Sequence, residues 1–346
     1  MKVFITGGAG FIGCNVADEH LSRGDDVIVF DNLSRAGTHG NLRWLQDRHP
    51  AGLRFVGGDI RDAAALEEHL TPDVDVVYHF AAQVAVTTSV ANPREDFDIN
   101  ALGTFNVLEA VRHRAPDAIV LYASTNKVYG GMEQVAIVER ASRYEYRDLP
   151  GGIPEDQGLD FHSPYGCSKG AGDQYVRDYA RIYDLRTVVM RQSCIYGPRQ
   201  FGVEDQGWLA HFCISARLGR AINIYGDGKQ MRDVLWVGDL IAAYRAAIER
   251  IDTAAGEIYN IGGGPDNAVS IWAEFGPELA RHTGYVPPVE YGDWRPGDQP
   301  VYVSDITKAA RELEWKPTVG VTEGVGRLWR WVDENAHLFD GFAVAV

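Results

Sequence analysis

Ser163-Pro-Tyr-Gly-Cys-Ser-Lys169 puts a phenol and an ammonium four residues apart, in a stretch that reads as the start of a helix. Residues at i and i+4 share a helical face. A phenol ionises near neutral pH only with help, and a nearby cation favours its anion. Tyr165 with Lys169 is therefore a candidate catalytic base. The same spacing also occurs on solvated helix faces, so the rest of the chain decides between the two readings.

The elements that would position this pair begin at the N-terminus. Lys2-Val-Phe-Ile-Thr6 is a short apolar run with β-branched character and reads as a buried strand. It runs into Gly7-Gly-Ala-Gly-Phe-Ile-Gly13, then a helical pattern to about residue 23, then Asp26-Val-Ile-Val-Phe-Asp31. Strand, glycine loop, helix, strand and acid in this order make a dinucleotide-binding unit. Glycines let backbone approach a pyrophosphate at a helix N-terminus, where N–H groups and the helix dipole favour negative charge. Gly7, Gly10, Phe11, Ile12 and Gly13 are thus cofactor candidates. Asp31 stands where a carboxylate accepts from the adenosine ribose, and it would repel a 2′-phosphate, so NAD is expected rather than NADP. Asn32, Ser34 and Arg35 follow on the cofactor side, and Arg35 is the one feature there that leans towards NADP.

The alternation continues with strands at 53–59, 75–82, 117–125 and 186–191, and helices at 61–70, 94–114 and 165–183. Such alternation predicts an α/β fold, a doubly wound parallel sheet of the Rossmann type. Ligands bind beyond the C-terminal strand ends in such sheets. Asp31, Asp59, Ala81, Ala82, Gln83, Ser124 and Thr125 all fall there and should converge on one crevice, with the Ser124 side chain alternating to the other face of its strand. Residues 131–162 lack periodicity and read as a lid or an oligomer contact. After Tyr196-Gly-Pro-Arg199 the pattern loosens into a smaller C-terminal substrate domain. It should be discontinuous, because Glu257-Ile-Tyr-Asn-Ile261 reads as a strand returning to the main sheet. The expected division is 1–190 with 234–262 for the dinucleotide-binding domain, and 191–233 with 263–346 for the other.

Bulk composition narrows the class. The chain has 346 residues, 45% hydrophobic and 23% charged, which is ordinary for a soluble enzyme of one large or two interlocked domains. Its 33 Lys and Arg against 48 Asp and Glu give a net charge of −15. That argues against a nucleic-acid partner. Any phosphate ligand must be held by local groups. The four cysteines show no CxxC spacing, so no metal site or disulfide framework is expected, and a reduced, cytoplasmic setting fits. No basic and apolar leader precedes the first strand, and no apolar run reaches the ~18 residues of a membrane span, so no membrane association is expected.

Tyr165-x-x-x-Lys169, with Thr125 upstream and the glycine loop at the N-terminus, resembles the extended short-chain dehydrogenase/reductase family along nearly the whole chain. Ser124-Thr-Asn-Lys-Val-Tyr-Gly130, Asp160-Phe-His-Ser-Pro-Tyr-Gly-Cys-Ser-Lys169, Arg191-Gln-Ser-Cys-Ile-Tyr-Gly197, Arg199-Gln-Phe-Gly202 and Asp205-Gln-Gly-Trp208 are similar to the CDP-tyvelose (CDP-paratose) 2-epimerases. The resemblance implies an NAD-dependent inversion at carbon 2 of a CDP-hexose, through a 2-keto sugar. It gives Tyr165 the proton of the carbon-2 hydroxyl, and Thr125 a hydrogen bond to the reacting oxygen. Lys169 would lower the tyrosine pKa and bind the nicotinamide ribose.

The resemblance also assigns Asp59-Ile60 to the adenine, and Arg232 and Arg295 to the nucleotide diphosphate. Gln83, Asn126, His162, Gln192, Cys194 and Arg199 fall on the substrate side, with Gln83 and His162 towards the sugar. Asp59 is equally a helix cap, and Asn100 either approaches the cofactor or is an exposed helical Asn. The related 4,6-dehydratases carry Thr-Asp-Glu where this chain has Thr125-Asn126-Lys127, which disfavours dehydration. Cys194 replaces the usual asparagine before the Tyr-Gly-Pro turn. A homo-oligomer built through helices packed on the main sheet is implied as well. The alternatives are a CDP-glucose 2-epimerase, a UDP-hexose 4-epimerase, or a non-catalytic NAD-binding regulatory protein.

Overall fold

The computed structural model describes residues 1–295 and 298–339. Pro296 and Gly297 of the 294–298 motif, and residues 340–346 of the expected substrate domain, lie outside the described residues. The first part runs β1 (Lys2–Thr6), α1 (Phe11–Ser22), β2 (Asp26–Asp31), α2 (Thr38–Arg48), β3 (Leu53–Gly57), α3 (Ala63–His69), β4 (Val76–His79), α4 (Val86–Ala91), α5 (Pro93–Phe97), a π-helical turn (Asp98–Leu102), α6 (Gly103–Arg114) and β5 (Ile119–Thr125). A hairpin of β6 (Ile137–Glu139) and β7 (Tyr144–Tyr146) precedes α7 (Ser163–Tyr183) and β8 (Arg186–Gln192). The rest comprises β9 (Cys194–Tyr196), α8 (Trp208–Arg217), β10 (Ile222–Tyr225), β11 (Met231–Trp236), α9 (Val237–Glu249), α10 (Ile251–Ala254), β12 (Ile258–Ile261), β13 (Ala268–Ser270), α11 (Phe275–Thr283), β14 (Val289–Gly292), β15 (Val301–Tyr302), α12 (Thr307–Glu312) and α13 (Val321–Glu334).

Among the described residues the main sheet has seven strands in the order β12-β8-β5-β4-β1-β2-β3. Every pairing in it is parallel. Side chains alternate across a strand, so Val3 and Ile5 enter one core while Phe4 enters the core on the opposite face. Both faces are covered, which is why these strands read as continuous apolar runs. The chain winds outward from β1 to β3, then jumps back to β4 on the other side. That reversal opens a crevice at the C-terminal ends of β1 and β4.

β12 pairs with β8, so the strand read at 257–261 does return to the main sheet. The smaller unit is built on β11, which pairs with β9, β13 and β15, over a core that includes Phe212, Trp272 and Phe275. The chain then crosses back once more, for Ala309, Leu313 and Trp315 pack into the main-sheet core.

Two stretches differ from their sequence reading. The helix at 94–114 is broken by the π-helical turn, a wider turn often found at functional sites. Residues 131–162 hold the β6–β7 hairpin, and the stretch packs Met132 and Ile153 with Val128, Tyr129 and Tyr302 in a small core of its own.

Candidate active site

The glycine turn is shaped by its own crowding. Gly7 has φ 69°, and a Cβ there would lie 2.6 Å from Ala81 N. A Cβ on Gly13 would lie 2.2 Å from Gly7 O. No larger residue fits at either position, and α1 therefore starts directly against the ends of β1 and β4. At the end of β2, Asp31 accepts from Ala9 N (3.0 Å) and Leu33 N (2.8 Å). Burial pushes its pKa up, and the two N–H donors oppose that. The carboxylate is held rigidly, with lone pairs left for a hydroxyl donor.

Gly7, Gly10, Phe11, Ile12, Gly13, Asp31, Asn32, Ser34, Arg35, Asp59, Ile60, Ala81 and Ala82 line one cavity of about 1180 Å³. That exceeds the usual size of a site for one small ligand and suits a dinucleotide with a second ligand beside it. The turn and Asp31 fit NAD. Arg35 donates to Gln206. Asp59 takes a two-point bond from Arg61 and a third from Asn32, and the Arg61 bond chiefly holds its pKa down at about 2.

The same cavity continues to Thr125, Tyr165 and Lys169. Thr125 ends β5, and Tyr165 and Lys169 sit in the first turns of α7, so strand and helix bring the three together. Tyr165 is 8% exposed. Burial pushes its pKa up to about 12, while the Thr125 hydroxyl, within hydrogen-bonding reach, and the Arg35 charge pull it down. Asp96 pushes it up further. Lys169 moves the other way, down to about 7, because burial disfavours its charge more than Asp173 and Asp96 favour it. Its Nζ donates to Ala123 O at 2.7 Å and lies 4.1 Å from the Tyr122 ring centroid. Besides burial, the groups acting most on the phenol are Thr125, Asp96 and Arg35, while the Lys169 ammonium is anchored on Ala123 O. Ser124 does turn away, donating to Asp173 at 2.6 Å.

On the substrate side Asn126, His162, Gln192, Cys194, Arg199, Arg232 and Arg295 also line the cavity. Arg232 donates to Asp298 Oδ1 and Met231 O, both at 2.7 Å. Arg295 pairs with Asp205 at 3.1 Å and stacks 4.0 Å from the Tyr225 ring centroid. Arg199 stacks on Trp44 at 4.2 Å. Gln192 donates to Tyr244 OH. Burial raises the Cys194 thiol pKa, which opposes a nucleophilic role. The loop after β9 bridges the two units: Thr87 donates to Asp205 at 2.7 Å, and Phe201 lies against Gly37.

Gln83 and Asn100 are placed differently, as neither lines the cavity. The Gln83 amide folds back on Ala85 N and O. Asn100 is 1% exposed and so is no surface residue. It accepts from Gln83 N (2.9 Å) and donates to Gln83 O (3.0 Å) and Asp96 (3.0 Å), pinning the loop after β4. Sequence reasoning missed Asp96, which also accepts from Ser168 Oγ of α7 at 2.5 Å. Its signal was the spacing of four from Asn100. It missed His79 too, a polar residue closing an otherwise apolar strand.

With this geometry in hand, the chain can be set beside known proteins. It matches, over residues 4–328, the family described as GDP-mannose 4,6 dehydratase. It is 44% identical over 337 residues to CDP-paratose 2-epimerase of Salmonella typhi, covering 96% of this chain and 99% of that one. The structure of UDP-glucose 4-epimerase of Thermotoga maritima, solved with UDP-glucose, superposes with a TM-score of 0.83 at 30% identity, over 97% of this chain and 100% of the other. dTDP-glucose 4,6-dehydratase of Streptomyces venezuelae, with NAD bound, superposes with a TM-score of 0.83 at 31% identity, over 97% and 98%. The chain therefore belongs to the GDP-mannose 4,6 dehydratase family, within the extended short-chain dehydrogenases/reductases.

Proposed function

We propose that this protein is an NAD-dependent epimerase acting at carbon 2 of a CDP-hexose of the paratose/tyvelose type. The observation that carries the reading is the sequence Thr125-Asn126-Lys127 on the cavity wall. The hydroxyl and phenol needed to oxidise an alcohol are in place, and the acid and base needed to eliminate water are not. Asn126 has no titratable proton, and Lys127 offers a cation where a carboxylate would be required. The Salmonella typhi relative carries the same named activity along its whole length.

Gly7, Gly10, Gly13 and Asp31 would hold the dinucleotide. The chemistry NAD supplies is a reversible hydride acceptor, which lets carbon 2 pass through a ketone with no net redox change. Tyr165 takes the hydroxyl proton and later returns it. Thr125 holds the reacting oxygen against the phenol. Lys169, anchored on Ala123 O, holds the site's donor geometry. Positioned proton transfer contributes about 10²–10⁴-fold. Arg232 and Arg295 hold the diphosphate, a task that suits the guanidinium fork.

We place the enzyme in the cytoplasm, which its four free cysteines support. No helix among the described residues is long and apolar enough to cross a membrane. A homo-oligomer belongs to the reading: Val90, Phe97, Phe105, Tyr175 and Ile182 are exposed apolar residues on α4–α7, the helices on one face of the sheet.

The test is a proton NMR time course of the purified protein, without added cofactor, on CDP-paratose, CDP-glucose and UDP-glucose. Inversion at carbon 2 of a CDP sugar is the expected result. Inversion at carbon 4 of UDP-glucose would move the protein to the 4-epimerases, and no change with any of the three, even with NAD added, would sink the reading.

A further inference from the structure

Lys127 enters the reading above only as an obstacle to dehydration, yet its position gives it a use. Its backbone N–H donates to Thr125 Oγ1 at 3.2 Å, so the short turn Asn126–Tyr129 is capped by the Thr125 hydroxyl itself. Its side chain lines the cavity. Among the described residues no protein acceptor takes its ammonium. Arg232 stands beside it on the same wall, already paired with Asp298 at 2.7 Å. Two cations thus share one carboxylate, in a chain of net charge −15. Lys127 is half-buried, so its charge is partly removed from water, at a cost that Asp298 offsets only in part. Burial and Arg232 accordingly push the Lys127 pKa down. An anion entering the cavity would relieve both cations.

The chemistry of the substrate says where that anion lies. A hexose is joined to its nucleoside diphosphate through carbon 1. The carbon-2 hydroxyl is on the neighbouring carbon, whereas the carbon-4 hydroxyl is across the ring. Bringing carbon 2 to Tyr165 and Thr125 therefore draws the sugar-proximal phosphate in behind it, much closer to the catalytic pair than a reaction at carbon 4 would. A side chain two residues beyond Thr125 is placed to meet it. Lysine's compact ammonium on a flexible stem suits such a point contact.

We propose that Lys127, together with Arg232, binds the sugar-proximal phosphate of the nucleotide sugar. The proposal rests on the 2-epimerase reading and adds a contact to it. The test is isothermal titration of the purified protein with CDP and with CMP, which lacks the second phosphate. Lys127→Met should lose at least tenfold in CDP affinity and less than twofold in CMP affinity, and Lys127→Arg should keep most of the CDP affinity. Equal losses for CDP and CMP, or an unchanged CDP affinity, would overturn the contact. Wild-type protein that binds UDP or dTDP in place of CDP would overturn the cytidine assignment alone, and the same comparison then uses that base. Wild-type protein that binds none of them overturns both readings.

Discussion

His79 should stay neutral far below the pH at which histidine normally charges. It closes β4, is 2% exposed, and lies between two hydroxyls. The Thr104 hydroxyl donates to Asn100 O (2.6 Å), so it accepts from His79 Nε2 (2.9 Å). Thr6 Oγ1 accepts from Ala81 N (3.3 Å), so its own proton goes to His79 Nδ1 (2.7 Å). The Nε2–H tautomer is thereby fixed, and a proton on Nδ1 would face another donor. Burial, with Lys169 adding to it, pushes the pKa down from 6.5 to about 3.

The folded pKa is below the unfolded one, so the contribution to stability is full above pH 6.5 and declines as pH falls from there towards 3. One unit of pKa corresponds to about 1.4 kcal/mol, so roughly 2 kcal/mol is lost between pH 7.5 and 5. His79→Gln cannot titrate. The stability gap between wild type and this variant should narrow by about 2 kcal/mol over that range, read from urea midpoints at matched pH. Ring ¹⁵N shifts of histidine-labelled protein should show a neutral Nε2–H ring at pH 5. A gap that stays constant, or a ring that charges near pH 6.5, would refute the reasoning.

Tyr165→Phe should keep its NAD while turnover falls about 10²–10⁴-fold; a variant that turns over normally would remove Tyr165 from the chemistry. Gly13→Ala should purify largely without nucleotide, because its Cβ meets Gly7 O at 2.2 Å, and absorbance of the heat-released cofactor measures this. Arg191 makes a two-point bond to Asp173 (2.9 Å each), both nearly inaccessible to solvent. Arg191→Met strands the buried carboxylate and should cost about 3–5 kcal/mol, seen as a lowered urea midpoint, with a much smaller loss when Asp173→Leu is added.

The parts of this site that sequence exposed are those whose chemistry is written in one local pattern. The glycine turn needs close backbone approach, and only glycine supplies it. Tyr165 and Lys169 share a helix, so their spacing is their geometry. Asp31 ends a strand next to that turn, and the topology of a doubly wound sheet does the rest. What sequence hid depends on partners far along the chain. Lys169 finds Ala123 O from 46 residues away. Asn100 reads as a weak helix former until the π-helical turn aims it at Gln83. Lys127 reads as a missing carboxylate until Arg232, more than a hundred residues later, folds in beside it.

The electrostatics of Tyr165 and Lys169 follow chiefly from one cause acting with opposite signs. Burial raises Tyr165 to about 12 and lowers Lys169 to about 7, since it disfavours an anion in one and a cation in the other. The protein alone therefore keeps the phenol protonated at neutral pH. Tyr165 can act as a base only when positive charge stands next to it, and it becomes an acid again when that charge is gone. An oxidised nicotinamide is cationic and a reduced one is neutral. On the proposed reading, the protonation preference of Tyr165 would follow the redox state of a bound nicotinamide: base towards the sugar hydroxyl, acid towards the ketone. Thr125 would serve both phases, because its hydroxyl accepts from Lys127 N and keeps a proton to donate to an alkoxide or a carbonyl. If the proposed epimerisation holds, a pocket that made Tyr165 strongly acidic by itself would speed its first half at the expense of the second.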